Sequence, residues 1–464
     1  MCYKIMSVLL SNWFIRLLMC TPPAYLKRPI GFRGRQVAKM VGRALVMGGG
    51  AAGVQAAWGL ANAGAEVVLA ERGAVLGGNL SHNKYLFPLR EEAFKVLKER
   101  FSELSRAPGF RLMLDTHLKE LSGGEGHFEA TLVHAPTCID NVRCDRCGDC
   151  EKACPVEFDD PEELGMSKRK AVHLHEGIPG GYSIQRNRCP PGCSECAKAC
   201  KPGAVRLEER PQEHREGFNS IIVATGIVPY DLRLLAELGY GRSRDIITGL
   251  EFEILYLPNG PTGGDILRPS DGKRPMTVAI LTCVGSRDEK HRPYCCQVGC
   301  MNALNQAFTI KDRLGEEAEV YVCFTDVRAH GKYYEEFYRT VRGMLVKFIR
   351  GKPSEVLVDL DGSLSFDIFD TATHKLLKLR PDLIVLEPAL VNAAPDLAKT
   401  LGIELDREGF FSLDKDYSLP VLSTAPGVFL AGTATGPKDV VSTMANASLA
   451  ALAALQYMKA HAAK

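Results

Sequence analysis

Short apolar runs, separated by glycine-rich turns and longer mixed segments, set the rhythm of the chain from residue 44 onward. Residues 44–71 read as strand, tight turn, helix and strand, with the second strand closing at Glu71. The segment FNSIIVATG (218–226) is an apolar strand ending in Ala224, Thr225 and Gly226. A second strand–helix–strand unit runs from 276 to about 326, opening with the β-branched run Thr277–Leu281 and closing with EVYVCF near Asp326. The run PDLIVLEPA (381–389) is another buried strand, and the chain closes with a strand, a glycine-rich loop and a long small-residue helix. Only 136–210 breaks the pattern, with cysteines, prolines and charges and little periodicity. No solenoid repeat is present. Strand–helix alternation from end to end predicts an α/β protein of parallel sheets.

The first turn carries its own chemistry. Gly48, Gly50 and Gly53 fill the G-x-G-x-x-G positions between the first strand and its helix. Gly48 allows the turn, Gly50 lets backbone amides approach a pyrophosphate, and Gly53 permits close helix–strand packing. The helix N-terminus favours the anion, and Glu71 stands where an acid binds a ribose 2′-hydroxyl. A dinucleotide site is predicted there; the alternative is a glycine-rich packing turn. The second unit differs. Its loop carries Cys283, with Gly285 alone of the expected glycines, and Cys295, Cys296 and Cys300 follow where a phosphate would sit.

Composition narrows the class. The 464 residues are 46% hydrophobic and 24% charged, and the length implies two or three domains. The net charge of +2 hides an asymmetry: residues 1–43 hold eight Lys/Arg and no acid, leaving 49 basic against 55 acidic groups. No basic patch with interleaved aromatics occurs, so nucleic acid is not implied. The apolar run in the first thirty residues is broken by Arg16 and short for a bilayer span, so the chain is not itself predicted to be transmembrane. It reads as a poorly ordered extension ahead of a start at Met40, with a membrane or partner anchor and a packed segment as alternatives.

Of sixteen cysteines, Cys2 and Cys20 lie in that extension, nine fall between Cys138 and Cys200, four between Cys283 and Cys300, and Cys323 stands alone. Dense short-range clusters in a long chain point to metal or iron–sulfur ligation in a reducing, cytoplasmic setting. Cys144, Cys147, Cys150 and Cys154 followed by Pro155 form the C-x2-C-x2-C-x3-C-P run of bacterial ferredoxins. Cys189, Cys193, Cys196 and Cys200 form a second run with a first gap one residue longer. The fourth cysteine of such a run ligates the other cluster. Two 4Fe–4S clusters are therefore expected, one on Cys144, Cys147, Cys150 and Cys200, the other on Cys189, Cys193, Cys196 and Cys154. Paired zinc sites are the competing reading. Cys138 is left as a plain thiol. Because a strand end and a helix start meet across the loop of a βαβ unit, Cys283, Cys295, Cys296 and Cys300 converge on a candidate third cluster. Scattered buried cysteines are the alternative there.

Several phrases in order resemble the A subunit of heterodisulfide reductase and its relatives, which include components of quinone-interacting membrane-bound oxidoreductase complexes. They are VMGGGAAGVQAAWGLA, the two cysteine runs, GPTGGDILRPSDGKRP, CVGSRDE, DVRAHGKYYEEFYR, VKFIRGKPSEV and GTATGPKDVV. The resemblance covers residues 42 to about 460. It implies a two-dinucleotide-domain flavoprotein with FAD, an inserted two-cluster ferredoxin domain and a degenerate second nucleotide-type domain. The division expected is an N-terminal extension (1–40), FAD domain (41–135), ferredoxin insertion (136–210), FAD domain (211–265), degenerate domain (266–385) and FAD domain (386–464). It also implies flavin contacts at Gly78, Ala224, Thr225, Gly226, Gly432, Lys438 and Asp439; for Lys438 and Asp439 a surface salt pair is the alternative. The family commonly reads Tyr-Cys-Ser-x-Val-Cys-Cys-Met, whereas here Gly299 replaces one expected ligand and Cys296 stands in the serine position. Asn79 replaces the usual arginine after Leu-Gly-Gly, and Thr433 an acid.

The function implied is an oxidoreductase subunit passing electrons between a flavin, 4Fe–4S clusters and partner subunits, with electron bifurcation a family property. Its partners would be other subunits of such a complex and ferredoxin-like carriers, and membrane association would come only through those subunits. Two rivals stand beside it: a self-sufficient NAD(P)H oxidoreductase resembling the small subunit of glutamate synthase, and a non-catalytic electron relay.

Overall fold

The strand Arg43–Met47 lies at the centre of a five-stranded parallel sheet in a computed structural model that describes residues 41–414 and 419–462. The expectations for residues 1–40, including Cys2, Cys20 and a start at Met40, fall outside the described residues. Across the sheet the order is Val428–Leu430, Ser220–Val223, Arg43–Met47, Glu66–Ala70, Phe110–Met113. Every pairing is parallel. Successive side chains alternate between faces. Ala44, Val46, Val67 and Leu69 pack under the helices Ala51–Asn62 and Val440–Ala462. Leu45, Met47, Val68 and Val223 meet the opposite layer, where Leu118, Phe128, Ala130 and Leu132 project from a three-stranded antiparallel sheet. Burial on both faces is why these strands are continuously apolar in sequence.

The antiparallel layer also frames the cysteine-rich segment. Its strands His127–His134 and Gln212–Phe218 pair directly, with His134 opposite Gln212, and residues 135–211 leave and re-enter between them. That segment has a small core of its own, built from Cys138, Ile139, Cys150, Cys154, Val172, Tyr182, Ile184 and Cys196.

A second parallel sheet follows the order Ile246–Thr248, Leu383–Pro388, Thr277–Val284, Glu319–Phe324, Lys347–Arg350. This corrects two expected boundaries. The strand Ile246–Thr248 and its helix Gly249–Leu255 belong to the second lobe rather than to the FAD segment 211–265, and Leu383–Pro388 carries that lobe past residue 385. A three-residue strand has too little periodicity to be assigned from sequence. What fixes it is its ladder to Leu383–Pro388 and a capping box at Thr248 and Glu251.

The closing helix is the one described helix long and apolar enough to cross a bilayer. Here its small-residue face forms core: Ala447, Ala450, Ala451 and Ala454 are buried beside the first helix, and a Cβ on Gly59 would stand 3.2 Å from that of Ala451. Ala450→Leu should overpack this seam and cost about 1–3 kcal/mol of unfolding free energy. Leu452→Ser, at a position 52% exposed, should change it little. Denaturant titration of the two variants checks both.

Candidate functional site

The three motif glycines do different work. Gly48 has a left-handed φ of +105°, and a Cβ there would lie 2.4 Å from the Ala224 carbonyl oxygen. A Cβ on Gly53 would lie 1.7 Å from the Gly48 carbonyl oxygen, so helix and turn touch backbone to backbone. Gly50 is unlike both: its added Cβ would meet only the Gly77 oxygen, at 3.9 Å. Packing does not demand glycine there, whereas close approach of a ligand does. Gly50 begins the helix without a side-chain cap, and the first turn holds no acid. Unsatisfied amides and the positive helix end suit a pyrophosphate, so the residues present fit the group.

Around this turn the other expected positions gather. Glu71 accepts from the Gly49 amide at 2.5 Å and from the Gly73 amide at 2.7 Å, which fixes its carboxylate at the strand end. It lines a cavity of about 480 Å³ with Met47, Gly48, Ala70 and Thr225. Gly78 sits beside Gly50, its added Cβ 3.5 Å from the Gly50 Cα. Gly226 is left-handed at φ +79°, and Gly432, at φ +63°, lies against Ala52 with its amide donating to Asn446.

A second cavity, of about 160 Å³, lies between the lobes and is lined by Asn79, Tyr85, Pro229, Glu253, Gln306, Glu387, Lys438 and Asp439. Lys438 and Asp439 turn to different partners rather than forming a surface pair. Lys438 Nζ donates to Thr435 Oγ1 at 2.8 Å, and burial lowers its pKa to about 8. Asp439 accepts from the Tyr334 hydroxyl at 2.5 Å and caps the closing helix through the Ser442 amide at 2.7 Å.

Two buried acids here escaped the sequence reading. Glu387 accepts from Gln306 Nε2 at 2.6 Å and Glu253 from the Tyr256 hydroxyl at 2.6 Å. Desolvation pushes them up to about 8 and about 7. An acid inside the apolar run 381–389 was the available signal for Glu387.

In the cysteine-rich segment the short helices Asp149–Ala153 and Glu195–Ala199 pack together. Cys150 lies in electrostatic reach of Cys144 and Cys200, and burial pushes its thiol up to about 11. Cys196 is in reach of Cys189, Cys154 and Cys193, and burial again raises it. Cys147 is exposed beside Asp145, and Cys138 is wholly buried. Thiolates on one tetrahedral zinc stand about 3.8 Å apart, given Zn–S bonds near 2.3 Å. Among the described residues no three thiols lie within 4.8 Å of one another.

In the second lobe, Cys283 is buried at the strand end with φ 57°, and Cys300 opens the helix Gly299–Leu314. Cys300 is in reach of Cys283 and Cys295, and burial pushes it up to about 11. The Cys296 thiol hydrogen-bonds Cys295, which with the Gln297 amide and the charges of Arg328 and Arg287 holds the Cys295 thiol well below its ordinary value. The same bond, with burial, drives Cys296 upward. A Cβ on Gly299 would stand 2.9 Å from the Cys296 sulfur, so that sulfur occupies the side-chain space of residue 299. Gly285 is covered: its added Cβ would lie 3.0 Å from Leu235 and 3.1 Å from Tyr230.

Two parallel nucleotide-type sheets, the first with its glycine turn, define a two-dinucleotide-domain flavoprotein. Residues 44–120 match the FAD dependent oxidoreductase family. Thioredoxin reductases from T. acidophilum and Lactococcus lactis share the fold, each with TM-score 0.51, at 13% and 14% identity; they cover 89% and 90% of this chain and 98% and 99% of their own. The iron–sulfur A subunit of the CoB–CoM heterodisulfide reductase of Methanocaldococcus jannaschii is 38% identical over 416 residues, 88% of this chain and 63% of the relative. The A subunit of the ferredoxin:CoB–CoM heterodisulfide reductase of Methanosarcina mazei is 33% identical over 422 residues, 89% of this chain and 53% of the relative. Over nearly nine tenths of its length the chain is thus similar to heterodisulfide reductase A subunits, and it spans between half and two thirds of the length of these relatives.

The glycines separate binding from folding. Gly50→Leu should leave the fold intact yet abolish flavin retention, read as loss of the flavin absorbance after gel filtration. Gly53→Ala should destabilise the whole lobe by about 3 kcal/mol or more, visible as a lowered melting temperature in flavin-free protein.

Proposed function

We propose that the chain is an FAD- and iron–sulfur-dependent electron-transfer subunit of a heterodisulfide-reductase-like oxidoreductase complex. The observation that carries this reading is the second lobe's loop. Thiols gather where a nicotinamide coenzyme's phosphate would sit, and Leu235 and Tyr230 cover the one remaining glycine. FAD supplies two-electron chemistry that can be divided into single electrons, which iron–sulfur clusters carry.

The residues present take distinct tasks. Gly48, Gly50 and Gly53 with the first helix's amides hold the pyrophosphate, and Glu71 the ribose, with Thr225, Gly226, Gly78 and Gly432 shaping the walls. Lys438 presents its amine to the inter-lobe cavity, where desolvation favours the protonated form of Glu387 at neutral pH and brings Glu253 to the point where it gains and loses its proton. Cys144, Cys147, Cys150 and Cys200 hold one ferredoxin-type cluster, and Cys189, Cys193, Cys196 and Cys154 the other. Cys283, Cys295, Cys296 and Cys300 hold a third beside the flavin cavity. Cys296 takes the ligand role that Gly299 has vacated, since its sulfur already fills that side chain's space. The partners are other subunits of the complex, with ferredoxin-like carriers as electron donors or acceptors.

Anaerobic purification should yield about one FAD and about twelve iron atoms per chain; near eight would remove the third cluster. Cys296→Ser should bring iron down to about eight while the ferredoxin-type spectra survive. Unchanged iron in that variant would take Cys296 out of the ligand set. The isolated chain should not oxidise NADH at a useful rate, and tight NADH binding in equilibrium dialysis would sink the idea that thiols have replaced the coenzyme.

A further inference from the structure

Away from the flavin cavities and the thiol groups, one trio of ligand-type side chains converges among the described residues. Glu162, His173 and His175 bring their ligand atoms within 4.8 Å of one another. The two histidines are two residues apart on the strand Val172–His175, so both rings share a face, with centroids 4.1 Å apart. His175 Nε2 is 2.7 Å from Ser183 Oγ on the paired strand, which leaves its Nδ1 2.9 Å from Glu162 Oε1. His173 is 4% exposed, and neither ring nitrogen has a partner of hydrogen-bond geometry, although the Lys170 backbone lies close. Leaving such a group unpaired costs about 1–3 kcal/mol. An ion pair between His175 and Glu162 accounts for two of the three residues and leaves His173 unexplained.

The surrounding charge favours a cation. Asp115, Asp160, Glu162 and Glu163 are within electrostatic reach of the trio or of one another. Against them stands Arg169, whose Nη1 is 3.2 Å from both Asp160 and Glu162. Asp160, Glu162 and Glu163 around Arg169, with Asp115 in reach of Glu162 and His175, leave an excess of carboxylates that a divalent ion would neutralise.

We propose that Glu162, His173 and His175 bind a single zinc ion, separate from every cysteine assigned to a cluster. Two imidazole nitrogens and a carboxylate oxygen are a donor set zinc takes. The Ser183 hydroxyl on the far nitrogen of His175 is the outer partner that orients a metal-bound imidazole. The site lies at the seam between the cysteine-rich segment and the first lobe. Leu76 N donates to Ile178 O at 2.8 Å nearby, and His82 of that lobe is in electrostatic reach of Glu162 and Asp160. The ion fastens the loop holding Glu162 to the histidine strand and stiffens this seam.

The test uses the full chain, purified anaerobically with its iron and flavin, equilibrated with zinc chloride and dialysed. Zinc and iron are then quantified together, and zinc-edge X-ray absorption reads the ligand atoms. About one zinc per chain in a nitrogen and oxygen shell is expected. Ser183→Ala should weaken zinc about 10–100-fold, and Glu162→Gln at least as much, with iron and FAD unchanged. Glu162 is 45% exposed, so its variant keeps the test sound if His173→Ala fails to fold. No retained zinc, a sulfur shell, or an undiminished affinity in Glu162→Gln would overturn the proposal.

Discussion

No carbon fits between Gly53 and the carbonyl of Gly48, and the rest of the first lobe depends on that contact. It draws the helix Ala51–Asn62 down onto the strand end at Gly48, which lines the cavity with Glu71 and Thr225. The same close approach leaves the outer flank of the helix free for the closing helix, which meets it through alanines because larger side chains would separate the two. One steric limit thus sets where an anion is welcomed and where the chain's last element must lie.

The second lobe repeats the architecture without the limit. Its strand Thr277–Val284 ends in a thiol, and its helix Gly299–Leu314 begins next to three more. What would be a solvent-facing phosphate cradle is closed by Tyr230 and Leu235 from the linker between lobes. The cavity between lobes then falls among groups that burial has pushed away from their ordinary charge: Lys438 downward, Glu253 and Glu387 upward. Acids raised toward neutrality and an amine lowered toward it, around one small space, make proton exchange near neutral pH cheap there.

Much of the fold was legible because parallel strands buried on both faces are written as unbroken apolar stretches, and 44–47, 221–223, 278–281 and 383–386 are of that kind. Cysteine spacing is informative for a similar reason, since a few residues of backbone restrict which sulfurs can meet. Ile246–Thr248 was not legible: three residues carry no period, and only pairing with a strand more than a hundred residues later defines it. Nor could sequence separate Asp439 as a helix cap from Asp439 as a ligand contact, since either role asks only for an acid before an apolar helix. Glu162 lies in a turn with no motif, and only the fold carries it to His173 and His175.

The paired strands that bracket the cysteine-rich segment form a neck only one ladder wide. Strand partners stand about 4.5–5.5 Å apart, so the segment's two ends are close enough for a tight turn to join them. A module attached in this way adds little constraint to the host sheet, whose register is already set by the ladder that pairs Phe128 with Phe218 at one end and His134 with Gln212 at the other. The cysteine-rich segment is therefore a graft, and a host of this kind could exchange it for another of the same footprint without refolding around the new one.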